Sequence, residues 1–247
     1  MRYSLLQDGS KRFRPVLAML VAEALGSSAE AVLPFAAAVE CIHTYSLIHD
    51  DLPAMDNDEF RRGKPTNHKA FDEATAILAG DGLLTEAFQI VACSYRTKPV
   101  IAVELVAELA RASGFHGMVG GQAIDMGAKK DALEIDELRM MHKLKTGALI
   151  EVSAVGAAVV CEANEKQRQE IATFAETLGL AFQVADDLLD FDPAQPELGS
   201  YPQLLGRAGT ARLLSELTET CLRCLNTWTD AAEPLRQIAI YNRRRER

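Results

Sequence analysis

Aromatic residues are scarce in this 247-residue chain, at 6%. With Ala, Leu, Val, Ile and Glu frequent, that scarcity argues against a β-sandwich and for helices. An excess of positive charge is also missing, because 26 Lys and Arg face 35 Asp and Glu, a net charge of −9. Nucleic-acid binders carry a basic patch, so no nucleic-acid partner is expected. A phosphorylated substrate stays open, provided that bound metal or local Arg and Lys neutralise it. No unbroken apolar run reaches the roughly 18–20 residues that span a bilayer. Met1 to Arg14 lacks the apolar core of a signal peptide. No integral membrane contact is therefore expected. The five cysteines, Cys41, Cys93, Cys161, Cys221 and Cys224, form no disulfide-like framework, which fits a reduced cytoplasmic setting. The sequence shows neither a repeat of fixed period nor a strand-period run bounded by hairpin turns.

What is present is apolar spacing of helical period. Pro15 to Leu25 predicts a helix closed by Gly26, with proline tolerated in the first turn. Ala31 to Asp51 predicts a long, Ala-rich helix, apolar on most faces and hence central. Further helices are predicted over 72–94, 100–113, 134–160, 165–190, 209–228 and 231–243. Loop signals fall at 52–67 and 192–202, and neither has the composition of an interdomain linker. The expectation is one all-α domain over residues 1–247, a helical bundle around a central cavity. The Gly/Ala-rich run Ala148 to Val160 predicts a close helix–helix contact.

Two acidic clusters end apolar helices. In HDDLPAMDNDE, residues 49–59, Asp50, Asp51, Asp56, Asp58 and Glu59 crowd together. On a regular helix Asp50 and Asp51 point about 100° apart and Asp56 turns away from both. Pro53 removes a helical hydrogen bond and clashes with the preceding turn, which lets the backbone bulge and carry Asp56 back. Read alone, the segment is either a solvated acidic loop or a cation site. Its all-oxygen donors suit a hard ion such as Mg²⁺. The second cluster, in AFQVADDLLD, spaces Gln183, Asp186, Asp187 and Asp190 along one helix face among apolar neighbours. Like charges four residues apart destabilise a bare helix, and a bound cation relieves that repulsion. Basic runs, Lys11-Arg12-Phe13-Arg14 and Arg61-Arg62-Gly63-Lys64, supply local positive charge, or else lie solvated at loop ends.

These segments resemble the motifs of the trans-isoprenyl diphosphate synthases. CIHTYSLIHDDLPAMDNDEFRRGKPTNHKAF is similar to their first aspartate-rich motif, GSKRFRP to GGKRLRP, and LAGDGLLTEAF to LAGDALLTYAF. GGQAIDM resembles GGQAxDL, HKLKTGALI resembles HxxKTGALI, and LAFQVADDLLD resembles FQxxDDxxD. The matches stand in family order over residues 9–191.

The resemblance implies a prenyltransferase with the all-α isoprenoid synthase fold. Asp50, Asp51, Asp56, Asp186, Asp187 and Asp190 would hold several Mg²⁺ ions, with Mn²⁺ as a substitute. Arg61 would bind the allylic diphosphate (dimethylallyl or geranyl). Lys11, Arg14, His43 and Arg62 would bind isopentenyl diphosphate. Lys145, Thr146 and Gln183 would stand near the departing diphosphate and the developing cation. A homodimer is implied too. Tyr45 and Ser46, five and four positions before Asp50, would form the floor of the tail pocket. The bulk of Tyr45 points to a fifteen-carbon product, farnesyl diphosphate, with geranylgeranyl diphosphate as the alternative.

Against the family pattern, a helix before Met1 is expected to be absent, and Ser10 stands where the family has a glycine. Its loop FDPAQPELGSYPQ is short and lysine-free, which reads as a deletion or an omitted segment. Two rival classes are a catalytically silent synthase subunit and, from His49-Asp50, an HD-type phosphohydrolase. The first would be expected to lose an aspartate motif. The second needs further metal-binding histidines, and His68, His116 and His142 lack the neighbours for it. Cys221 and Cys224 read as ordinary thiols.

Overall fold

The computed structural model describes residues 1–128, 133–193 and 199–245. Its first half comprises α1 (Arg2–Leu5), α2 (Phe13–Ala24), α3 (Ala29–Asp50), a hairpin of β1 (Phe60–Arg61) and β2 (Lys64–Pro65), α4 (Asn67–Ala70) and α5 (Glu73–Ser94). There follow α6 (Pro99–Ser113), α7 (Met118–Ala128), α8 (Ile135–His142), a π-turn (Lys143–Gly147), α9 (Ala148–Val160) and α10 (Glu165–Asp190). The chain ends with α11 (Tyr201–Cys224), a 3₁₀ turn (Asp230–Ala232) and α12 (Glu233–Arg244). The all-α class expected from composition is what forms.

Side chains at the starts set the long helices. The Ser28 hydroxyl accepts the Glu30 amide (3.2 Å) to open α3, and the Asp72 carboxylate accepts the Thr75 amide (2.7 Å) to open α5. Asn164 and Gln167 cap each other's backbone at the start of α10. Helix α3 stands centrally, packed on α2, α5 and α9. Phe35, Ile42 and Ile48 on it are fully buried, each stabilising the fold by roughly 2 kcal/mol. The Ala148–Val160 run is the close contact expected: a Cβ on Gly156 would lie 2.0 Å from the Phe35 ring. A smaller apolar cluster, Leu138, Met141, Val184, Tyr201 and Leu214, joins α8, α10 and α11.

Helices α3 and α5 are each long and apolar enough to cross a membrane by length and composition, although no unbroken apolar run is present. The α3 window is mostly buried in the bundle, as a core helix requires, whereas α5 leaves much of its window open.

Besides the unpredicted single turns α1 and α4, other local features depart from the sequence-based expectation. Helix α7 forms where no helix was predicted, and the predicted helix over 134–160 contains the π-turn. The α11 stretch breaks at Gly206 (φ 68°, ψ 158°), so an unpredicted short helical piece from Tyr201 precedes the main helix, which begins close to the expected 209. Residues 60–65 form a small antiparallel hairpin, Phe60 pairing with Pro65 and Arg61 with Lys64. Its two-residue turn, Arg62-Gly63, has φ of 52° and 75°, the geometry that matches strand twist. The N-terminal segment pins the hairpin: Tyr3 donates to the Pro65 carbonyl and Gln7 to the Arg61 carbonyl, both at 2.8 Å. The short loop after Asp190 lies partly outside the described residues.

Candidate active site

Helix α3 ends at Asp50, and the backbone beyond it doubles back as Pro53 requires. The Asp56 amide donates to the Asp50 carbonyl (2.9 Å), and the Met55 and Asn57 amides both donate to the Leu52 carbonyl (2.9 and 3.1 Å). This bulge sets Asp56 beside Asp50. Burial, then the charges of Asp56 and Asp51, push the Asp50 carboxyl up to about 6 against the pull of Lys145 and Arg61. Asp51, almost fully buried, takes a two-point ion pair from Arg61, Nε at 2.7 Å and Nη2 at 2.6 Å. Arg61 also reaches Asp58 at 3.3 Å. Burial raises the Asp51 carboxyl, and the Arg61 pair opposes that rise.

Asp50 opens into a cavity of about 680 Å³ whose wall combines α3, α7 and the π-turn. Arg14, His43, Tyr45, Ser46, Asp50, Lys145 and Thr146 all face it, so seven residues singled out from the sequence meet around one space. The rest of the wall is largely apolar, with Leu52, Met118, Val119, Ala123, Met126 and Leu149. Tyr45 is 6% exposed and packs edge-on against His49, ring centroids 5.7 Å apart. The Ser46 hydroxyl is spent on the His43 carbonyl at 2.9 Å. Burial, reinforced by Arg14, Arg62, Arg61 and Arg12, holds His43 well below the usual imidazole range, so it presents a neutral ring at pH 7.

The π-turn is what aims Lys145 and Thr146. A widened turn projects side chains that a regular helix would not, and Gly121 on α7 makes room for it. A Cβ at Gly121 would lie 2.2 Å from the Lys145 amide nitrogen. Lys145 Nζ then meets Asp125, also on α7, at 2.6 Å.

Other predicted residues lie outside this wall. Arg61 and Arg62 line a small neighbouring recess with Asp51. Lys11 is exposed, and Gln183 is half-buried on α10. Of the second cluster, Asp186 is paired with Arg245 at 2.6 Å, and Asp187 accepts the Tyr201 backbone amide at 2.8 Å. Asp190 sits at the exposed end of α10. Among the described residues no three His, Cys, Asp or Glu side chains gather closely enough to hold a metal. That arrangement still fits Mg²⁺, which binds through one or two carboxylates and completes its shell with water and substrate phosphate. A carboxyl pushed up to about 6 by burial, and further by the charges of Asp56 and Asp51, is one that a cation would stabilise in its ionised form. Arg14 Nε and both amide atoms of Gln122 are buried beside the cavity without a hydrogen bond, which suits a polar, anionic ligand there.

Sequence reasoning missed Gln122, Asp125, Glu40 and Arg245. GGQAIDM carried a signal for the first two, since it is a polar pair following a double glycine. Nothing local marks the others.

An apolar pocket with acidic and basic groups at one end defines a class of helical bundle that receives a molecule with a charged head and a hydrocarbon tail. The comparisons make this specific. The polyprenyl synthetase family model matches residues 1–200. A farnesyl diphosphate synthase of Geobacillus stearothermophilus is 46% identical over 239 residues, covering 91% of this chain and 80% of that one. The heterodimeric geranylgeranyl pyrophosphate synthase large subunit 1 of Arabidopsis thaliana, a chloroplastic protein, is 42% identical, covering 98% of this chain and 70% of its own length. The apo crystal structure of an FPP/GFPP synthase from Zymomonas mobilis superposes with a TM-score of 0.92 at 40% identity, covering 98% of this chain and 86% of that one. This chain belongs to the polyprenyl synthetase family, and its bundle has the all-α fold of those synthases.

Proposed function

We propose that this chain, acting as a single domain, is a Mg²⁺-dependent prenyltransferase. It condenses isopentenyl diphosphate with dimethylallyl and then geranyl diphosphate to give farnesyl diphosphate. The observation that carries the reading is the 680 Å³ apolar cavity with Asp50, Lys145, Thr146, Arg14 and His43 at its polar parts.

Asp50, Asp51, Asp56, Asp186, Asp187 and Asp190 are the residues that would hold the metal. When bound, Mg²⁺ neutralises the leaving diphosphate. Lys145, Thr146 and Gln183 face the departing group and the developing cation with charge and dipoles fixed in advance. Arg61 binds the allylic diphosphate, while Lys11, Arg14, His43 and Arg62 bind that of the second substrate. After the allylic C–O bond ionises, the isopentenyl double bond attacks the cation. The released diphosphate takes the proton, so no side chain is assigned as base. The apolar wall keeps water from the carbocation, and Tyr45 limits the tail.

A homodimer is supported by apolar side chains left open outside the cavity: Leu78 on α5, Val100 and Val103 on α6, and Phe115 just before α7. Sedimentation should give a dimer at micromolar concentration, and a stable, active monomer would reject it. A cytoplasmic setting fits the absence of any disulfide among the described cysteines. The deciding experiment incubates the protein with labelled isopentenyl and dimethylallyl diphosphates and Mg²⁺, then sizes the dephosphorylated alcohols. Mainly C15 alcohol is expected. Mainly C20 would shift the reading to a geranylgeranyl synthase. No chain growth would reject the synthase, leaving a silent subunit, or a phosphohydrolase if phosphate is released.

A further inference from the structure

The basic region beside the cavity contains one buried acid that the synthase reading leaves unused. Glu40, in the middle of α3, is 6% exposed. It lies among Arg12, Arg14 and Arg62, each of which it influences directly. Arg12 Nη1 donates to Glu40 Oε1, and Arg12 Nη2 donates to the Leu5 carbonyl. The Ser10 hydroxyl reaches Glu40 Oε1 at 3.5 Å. Arg12 has φ of 49°, in the left-handed region that a non-glycine residue rarely adopts. This residue immediately precedes α2, whose first turn carries Arg14. The ion pair to Glu40 therefore clamps the turn that sets the direction of both Lys11 and Arg14.

We infer that Glu40 is a positioning residue for the second diphosphate: its carboxylate holds Arg12 in the left-handed turn, and so fixes Lys11 and Arg14 where an anion meets them together. The inference rests on the proposed role of Lys11 and Arg14 in binding isopentenyl diphosphate. Three observations support it. Arg14 Nε is buried without a partner, as expected of a donor awaiting a ligand. Burial lowers Arg14 to about 10, and Glu40 is the largest influence opposing that loss of charge. Arg62, also in the left-handed region (φ 52°), faces the same carboxylate from the hairpin turn. An acid that only repelled the substrate would be a defect here. One that organises the arginines offsets its own repulsion through the geometry that it fixes.

The test uses E40Q, which keeps the shape and removes the charge, and R12Q, which breaks the same pair from a side chain that is 32% exposed. In steady-state assays with geranyl diphosphate and Mg²⁺, both variants should raise KM for isopentenyl diphosphate about 10-fold. KM for geranyl diphosphate and kcat should stay within about twofold, because the Asp50 side of the cavity is untouched. Calorimetric binding of isopentenyl diphosphate without metal should weaken in parallel. Unchanged KM and binding in both variants would overturn the inference, and so would equal rises in the two KM values, which denote general loosening. If E40Q does not fold, R12Q decides alone. Loss of binding in the variants of a wild type that binds but makes no product would reject the synthase reading and leave the positioning role standing. A wild type that binds no isopentenyl diphosphate would reject both.

Discussion

Replacing Tyr45 by alanine tests the proposed tail stop. Asp50 lies five residues further along α3, so the tyrosine sits about 7.5 Å up the helix axis at 1.5 Å per residue. An extended isoprene unit, four C–C bonds of about 1.5 Å, advances roughly 5 Å, close to the 5.4 Å rise of one helical turn. Removing the ring thus opens space for about one more unit, bounded next by the buried turn at Cys41 and Ile42. The ring packs edge-on against His49, so displacing it to admit a longer tail costs that contact. If that cost is about 1.4 kcal/mol or more, the C20 to C15 ratio rises at least about 10-fold in Y45A. Stability should fall by about 3 kcal/mol, the lower end for truncating a large buried ring, because one face already borders empty space. The assay is chromatography of the dephosphorylated alcohols, with a denaturant melt to confirm folding. A folded Y45A that still stops at C15 would refute the argument and place the floor on α5 or α7.

Asp187→Ala should reduce turnover by a factor of about 10³ or more at saturating Mg²⁺ while leaving far-UV circular dichroism nearly unchanged. Near-normal rates would remove this carboxylate from the metal set. His142, 7% exposed against Tyr201, is held down to about 4, mainly by burial. A depressed histidine contributes stability that is present above its unfolded pKa, near 6.5, and is lost as pH falls toward the folded value. Wild type should therefore lose up to about 3 kcal/mol relative to H142Q between pH 7 and 4, and denaturant curves that stay parallel over that range would refute the shift. Gly121→Ala should cut kcat by about 10-fold or more through displacement of Lys145, and an unchanged kcat would show that the π-turn tolerates the added methyl.

What was legible in the sequence followed chain-local rules. The length and centrality of α3 came from its unbroken apolar faces, and the backbone return at Asp56 came from Pro53. Helix α7 escaped because VGGQAIDMGA contains three glycines, each costing about 1 kcal/mol of helix propensity. Packing against the π-turn, which no local window contains, supplies the compensation. The short piece from Tyr201 was hidden by Pro202 and by Gly206, whose non-helical backbone separates it from the periodic stretch near 209 onward. The hairpin has two residues per strand, too few for alternation to register. Most opaque were pairings across elements. Glu40 meets Arg12 from 28 residues away and Asp186 meets Arg245 from 59. Such partners become neighbours only after the bundle has closed.

The widened turn at Lys143–Gly147 also uncouples two registers. In a continuous α-helix each residue advances the side chains by about 100°, so the face that α8 shows to α10 would dictate the face that α9 shows to Phe35. A single extra residue taken up in a wide coil breaks that dependence. It lets α9 keep Gly156 against the Phe35 ring while Lys145 and Thr146 turn into the cavity. Deleting Leu144 would restore a regular spiral and force a choice, with either the helix contact or the cavity-facing pair rotated out of place.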